Sequence, residues 1–244
     1  MSMRRIKWGQ AGSVCLLALC VTGCLSTGRV QTAQTLGQGN FEVSVDPGVI
    51  GVVGLPTVGP ILHAAFRYGV TDRIDLGVRA GNLLGEIQSK FLLTQPENPN
   101  LAISIAPGAG VLFSISPVVN LYVPVPLLVG FKFGGPHELT LGPRIENTVT
   151  FDMSNTVSGA LYTGGLGLSI GFAGQVTDTF RMLPELSAVA PLLIIGSDDD
   201  GSADTNSLGV VLYSFNLGFQ FGSPRKKFSA PAAPPTASAE GARQ

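Results

Sequence analysis

The serine at the centre of Gly167-Leu168-Ser169-Ile170-Gly171 has the G-x-S-x-G spacing of an acyl-transfer nucleophile. That chemistry needs the serine on a sharp strand-to-helix turn and a later histidine to take its proton. Here glycine alternates with larger residues through the motif, and the only two histidines, His63 and His137, both precede it. The spacing therefore reads as accidental. A lipid hydrolase built instead on His63, with a neighbouring serine and carboxylate, is the least favoured functional reading. Asp198-Asp199-Asp200-Gly201 and Asp204 gather oxygen ligands around a turn glycine, which suits calcium. They do not follow the Asp-x-Asp-x-Asp-Gly spacing of a calcium-binding loop, so a solvated acidic loop is the simpler reading, with no metal or cofactor expected. The remaining candidates are eleven scattered charges: Glu42, Arg67, Asp75, Arg79, Glu86, Lys90, Lys132, Arg144, Glu146, Arg181 and Glu185. Six are basic and five acidic, so they nearly cancel. Enclosed together they would form ion pairs that fix an interior, or the filter of a weakly selective pore.

What positions these residues is constrained by composition. The chain has 244 residues, 45% apolar and only 13% charged, with 32 glycines, 17 prolines and a net charge of -1. A near-neutral chain excludes a strongly basic nucleic-acid binder, and its hydrophobicity excludes disorder throughout. The charge fraction is about half of what a soluble domain carries. Something other than water is expected to cover much of the surface.

The first 23 residues have the form of an export signal. Arg4, Arg5 and Lys7 form a positive start, Ala11 to Val21 a short apolar stretch, and Val21-Thr22-Gly23 a small-residue end before Cys24. Arg4-Arg5 is a poor twin-arginine match, so ordinary secretion is expected. Loss of the signal removes Cys15, Cys20 and Trp8, which leaves Cys24 as the only cysteine and excludes a disulfide within the chain. It also removes three cations, leaving 12 basic against 16 acidic residues, a net of -4.

The Val21-Thr22-Gly23-Cys24 stretch resembles the lipobox of bacterial lipoproteins, with valine where leucine is commoner. That resemblance implies that Cys24 becomes the mature N-terminus, carrying a diacyl group on sulfur and a further acyl chain such as palmitate. More than one acyl chain anchors stably where a single one gives marginal binding. Leu25, in place of aspartate, leans toward sorting to the outer membrane. Partners implied are the lipoprotein-processing machinery and outer-membrane lipid. Residues 24–39 read as a lipidated N-terminus and polar linker with no apolar period, and residues 223–244, rich in alanine and proline, as a disordered tail. The basic cluster Arg225 to Lys227 could meet anionic headgroups there or simply keep the tail soluble.

Between them, residues 40–222 show no run of about 18 apolar residues and no helical period. Alternation with period two recurs instead. Tyr213, Phe215, Leu217, Phe219 and Phe221 share one face of the last segment, and Ser214, Asn216, Gly218 and Gln220 the other. Strands are predicted near 40–48, 59–70, 73–82, 86–95, 100–112, 118–133, 137–150, 161–174, 178–191 and 207–222. Short polar turns alternate with mostly longer loops. Ten strands put both chain ends on the short-turn side, the periplasmic side of an outer-membrane barrel.

Alternation also fits a soluble periplasmic β-domain. The polar face decides for a barrel: it is mostly Gly, Ser, Ala and Thr with about one charge per strand, too thin for a surface in water. The RYGVTDRIDLGVRAG hairpin and the aromatic last strand resemble small outer-membrane β-barrel proteins, the latter being similar to their assembly signal. The resemblance covers about 40–222 and implies an all-β, antiparallel up-and-down transmembrane barrel of about ten strands. It also implies the barrel-assembly machinery as a partner and both termini in the Gram-negative periplasm. The expected function is non-enzymatic, a lipid-anchored protein of structural or interaction role with a largely plugged lumen. A narrow passive channel for small solutes and a soluble periplasmic lipoprotein are the alternatives. Oligomeric state is not legible.

Overall fold

A computed structural model describes residues 28–56, 58–82, 84–113, 118–133, 137–152, 160–197, 203–206 and 210–224. Cys24, Asp198 to Gly201 and the tail beyond residue 224 lie outside the described residues. The strands are β1 (Phe41–Val52), β2 (Val58–Gly69), β3 (Ile74–Gly81), β4 (Leu84–Leu92), β5 (Leu101–Ile105), β6 (Gly108–Phe113), β7 (Val118–Phe133), β8 (His137–Asp152), β9 (Ala160–Gln175), β10 (Phe180–Ser197), β11 (Ala203–Asn206) and β12 (Leu212–Gly222). Among the described residues there is no helix.

All neighbours pair antiparallel, and the sheet closes because β12 pairs with both β10 and β1. The barrel has ten staves, as the alternation predicted. β5 and β6 form one stave: Phe91↔Ile105 on β4–β5 and Gln88↔Gly108 on β4–β6 keep the same register. The interruption falls at Ala106-Pro107, where proline has no N–H to give the ladder. β11 folds back on the end of β10, pairing Ser197 with Ala203, and is an extension of that strand rather than a stave. Asp204, which was expected in a loop, lies in it.

Observed strands reach beyond the predicted ends mainly at one rim. β1 continues to Val52 and β10 to Ser197, past the predicted ends at Gly48 and Pro191. Pro47 is accommodated without loss of register, whereas Pro191 is followed by a bulge before Leu193. The β3–β4 connection is short because Gly81 and Asn82 both have positive φ, 148° and 43°, conformations open to glycine and tolerated by asparagine. The Asn82 side chain ties this turn to β2, accepting from the Leu62 N–H and donating to the Pro60 carbonyl.

The two faces of each strand separate sharply. Leu62, Phe66, Leu76, Val78, Ile87, Leu121, Ile145, Leu168, Leu186 and Phe215 all point outward and are exposed. Leu76 is 51% and Ile87 66% exposed, which makes the outer wall an apolar band around the barrel rather than scattered contacts. At the short-turn end it carries an aromatic collar. Phe41 lies opposite Tyr68, Phe133 stacks on Phe172 at 5.8 Å, and Phe180 on Phe221 at 4.7 Å. The inner face is polar and buried.

Candidate functional site in the barrel interior

Strand register builds the interior from directly opposed residues. Glu42 faces Arg67 across β1–β2; Asp75 faces Lys90, and Arg79 faces Glu86, across β3–β4. Each opposition is an ion pair: Arg67 Nη2 donates to Glu42, Lys90 Nζ lies 3.6 Å from Asp75, and Arg79 3.8 Å from Glu86. On β8, Arg144 Nε donates to Glu146 two residues along the same face, and its Nη2 donates to Ser187 Oγ at 2.7 Å. Removing such charges from water is costly, so close pairing is what makes the interior tolerable.

The interior is not filled by wall side chains alone. Gly28 to Leu36 forms a strap that runs inside the barrel, every residue of it buried. The strap is bound largely through its main chain. Both oxygens of Glu185 accept from adjacent backbone N–H groups, Arg29 at 2.6 Å and Val30 at 2.9 Å. Glu138 accepts from the Ala33 N–H at 2.5 Å, and Asp75 from the Leu36 N–H at 3.0 Å. Strap carbonyls accept in return: Gly28 from Arg79, Val30 from Gln220 and Gln34 from Lys90. Its one charged side chain, Arg29, donates to Glu86 at 2.5 Å and to the Tyr122 hydroxyl at 3.1 Å, with its guanidinium over the Tyr122 ring.

Small wall residues make room for it. A side chain on Gly218 would meet Val30, and one on Gly130 would meet Ala33. Apolar contacts complete the fit: Val30 packs with Ala173 and Leu183, and Ala33 with Leu92, Ala102, Ala106 and Leu128. The strap has a direction. Leu36 lies at Asp75 and Gly28 at Arg79 on the same strand. Val30 lies at Gln220 and Gly28 against Asn216 on β12. The chain thus rises from the short-turn end into the lumen as it runs back from Leu36 to Gly28. Leu25 to Gly39, read from sequence as a linker, contains this buried stretch.

Of the eleven charges singled out in the sequence, ten are buried inside; the exception, Lys132, is half-buried and donates to the Asn98 carbonyl at the short-turn rim. Arg181 reaches Gln175. Asp46 and Glu138, both buried, were not singled out, although each falls close to an end of a predicted strand, 40–48 and 137–150. Arg29 and Tyr122 were also missed. The Glu42-Ser44 alternation leads directly to Asp46; no periodicity marks Arg29.

Ser169 lies within β9 rather than on a strand-to-helix turn, and His63 is on β2, four staves away around the wall. His63 is buried, with Arg79 Nη2 3.1 Å from its Nδ1. His137 stacks on Phe172 at the short-turn end. These three residues do not form a catalytic group.

No protein-family model matches this sequence, and no curated protein is significantly similar to it. Among solved structures, the chain is similar to Neisserial surface protein A (10% identity, 75% of this chain and 99% of that one, TM-score 0.41). It is also similar to the outer membrane protein OprG from Pseudomonas aeruginosa (14% identity, 79% and 99%, TM-score 0.36). A third is Ail, the attachment invasion locus protein of Yersinia pestis (12% identity, 76% and 99%, TM-score 0.32). The likeness is one of fold: a closed, antiparallel all-β barrel.

Proposed function

We propose that this chain is an outer-membrane β-barrel protein of structural or interaction role, anchored by lipid on Cys24, whose lumen is closed to solutes. The observation that carries the reading is the inversion of faces. The outer wall is apolar with an aromatic collar at the short-turn rim, while the charges and the strap fill the inside. A barrel in water would have the opposite arrangement. The short-turn end is assigned to the periplasm, and the C-terminal end with it, since Ser223 leaves β12 beside Phe41. The sequence alone put Cys24 on that side too, whereas the strap, followed back from Leu36 to Gly28, rises away from that end.

Heat-modifiable migration on a denaturing gel tests the barrel: the unheated protein is expected to run as a compact species and the boiled one to shift. Planar-bilayer recording tests the closed lumen, with no stable conductance steps expected. Such steps from the intact protein would replace this reading with the narrow-channel one. Metabolic palmitate labelling, lost on Cys24→Ala, tests the anchor.

A further inference from the structure

Four wall carboxylates are partnered by the strap: Asp75, Glu86, Glu138 and Glu185, on four different staves. Following the strap upward, they are met in order, Asp75 at Leu36, Glu138 at Ala33, then Glu185 and Glu86 at Arg29. They form a ladder of carboxylates along one path. Among the described residues, the buried wall holds seven carboxylates against five cations, and Arg29 of the strap supplies the sixth. The strap is therefore the part of the interior that offsets wall charge, through Arg29 and through N–H groups aimed at carboxylate oxygens.

The wall closes without it. Every stave-to-stave register runs through strand residues alone, from β1–β2 around to β12–β1. Ten strands enclose more than the roughly eight whose interior is just filled by side chains, and the difference is the space the strap occupies. Carboxylates lining a water-filled passage select cations.

We infer that the lumen is a latent cation pathway, occupied by Gly28–Leu36 and conducting cations such as potassium when that strap is out. The inference rests on the closed-lumen reading and adds what closes it and what would pass. The test compares three forms of the protein in planar bilayers under a potassium chloride gradient: the unaltered chain, a chain lacking only residues 28–36, and Arg29→Glu. Each is first checked for heat-modifiable migration. The unaltered protein is expected to be silent; steps from it would overturn the closed-lumen reading itself. The deletion variant is expected to give stable steps, with a reversal potential showing potassium favoured several-fold over chloride. Arg29→Glu, which sets a carboxylate against Glu86, is expected to give intermittent openings of the same selectivity. Glu138→Gln with Glu185→Gln in the deletion background should lower that preference. A folded deletion variant that is silent, or that favours chloride, would overturn the inference. If the deletion variant does not fold, folded but silent Arg29→Glu does so instead. Failure of both to fold would overturn it as well, since the wall would then depend on the strap.

Discussion

Glu42 and Arg67 meet across β1–β2 with both side chains almost wholly inside the barrel, and Arg67 also donates to Gln31 of the strap at 3.1 Å. Leaving one charge of such a pair unmatched costs about 3–5 kcal/mol, whereas replacing both with apolar groups of similar size is often neutral. Arg67→Met should therefore lower the stability of the folded barrel by about 3–5 kcal/mol. The double variant Arg67→Met, Glu42→Leu should regain most of the loss, measured by urea unfolding of protein refolded into vesicles. Equal loss in single and double variants would mean that the pair is not what holds this site. Most of this network was legible because opposed charges fall on alternate residues, as Glu42, Arg67, Asp75, Arg79 and Glu86 do. Asp46 was passed over although it continues the Glu42-Ser44 alternation, because Pro47-Gly48 directly after it marks a strand end, and pairing with His63 on β2 shows it to be mid-strand.

At the scale of elements, staves and strap differ in how sequence encodes them. A stave buries one face and exposes the other, so its period of two is written in side chains. The strap is surrounded, and the walls hold it by its N–H and C=O groups, which every non-proline residue has. Gly28-Arg29-Val30-Gln31-Thr32-Ala33-Gln34-Thr35-Leu36 consequently shows no period, and its destination could not be read from its own residues. The signal lies in the wall, in inward glycines such as Gly218 and Gly130 that leave a space where Val30 and Ala33 come close. Gly218→Leu should fill that space and displace the strap while the staves remain paired. Arg29 is the only trypsin site in the strap and is buried, so cleavage after it reports displacement. Trypsin should leave this bond intact in the unaltered folded protein and cut it in Gly218→Leu, as read by mass spectrometry. Protection in both would show that the strap and wall adjust together at Gly218.

On the scale of the whole molecule, the scarcity of charge becomes a division between solvents. The outer wall needs none, and the inner wall sets its charges in ion pairs or against the strap and neighbouring polar groups, while the short-turn rim carries the aromatic side chains that suit an interface between hydrocarbon and water. The barrel should thus hold itself in a membrane whether or not Cys24 carries lipid. Cys24→Ala is expected to stay with the membrane fraction through alkaline carbonate extraction; its release into the supernatant would show that the lipid, and not the wall, is the anchor. Orientation follows from the same geometry. Gly222 and Ser223 are tied to the short-turn end through Thr179 and Phe41, whereas the β1–β2 loop that starts at Val53 lies at the other rim. An epitope inserted after Leu55 should be stained on intact cells, and one fused after Pro224 only once the outer membrane is permeabilised. The reverse pattern would turn the barrel over. A third epitope, placed just ahead of Gly28, reads which way the strap leads. Because that chain climbs from Asp75 toward Arg79 and from Gln220 toward Asn216, this epitope should be stained with the loop marker rather than with the C-terminal one. Staining only after permeabilisation would mean that the strap is not seated in the mature barrel, and a conducting intact protein would then be expected alongside it.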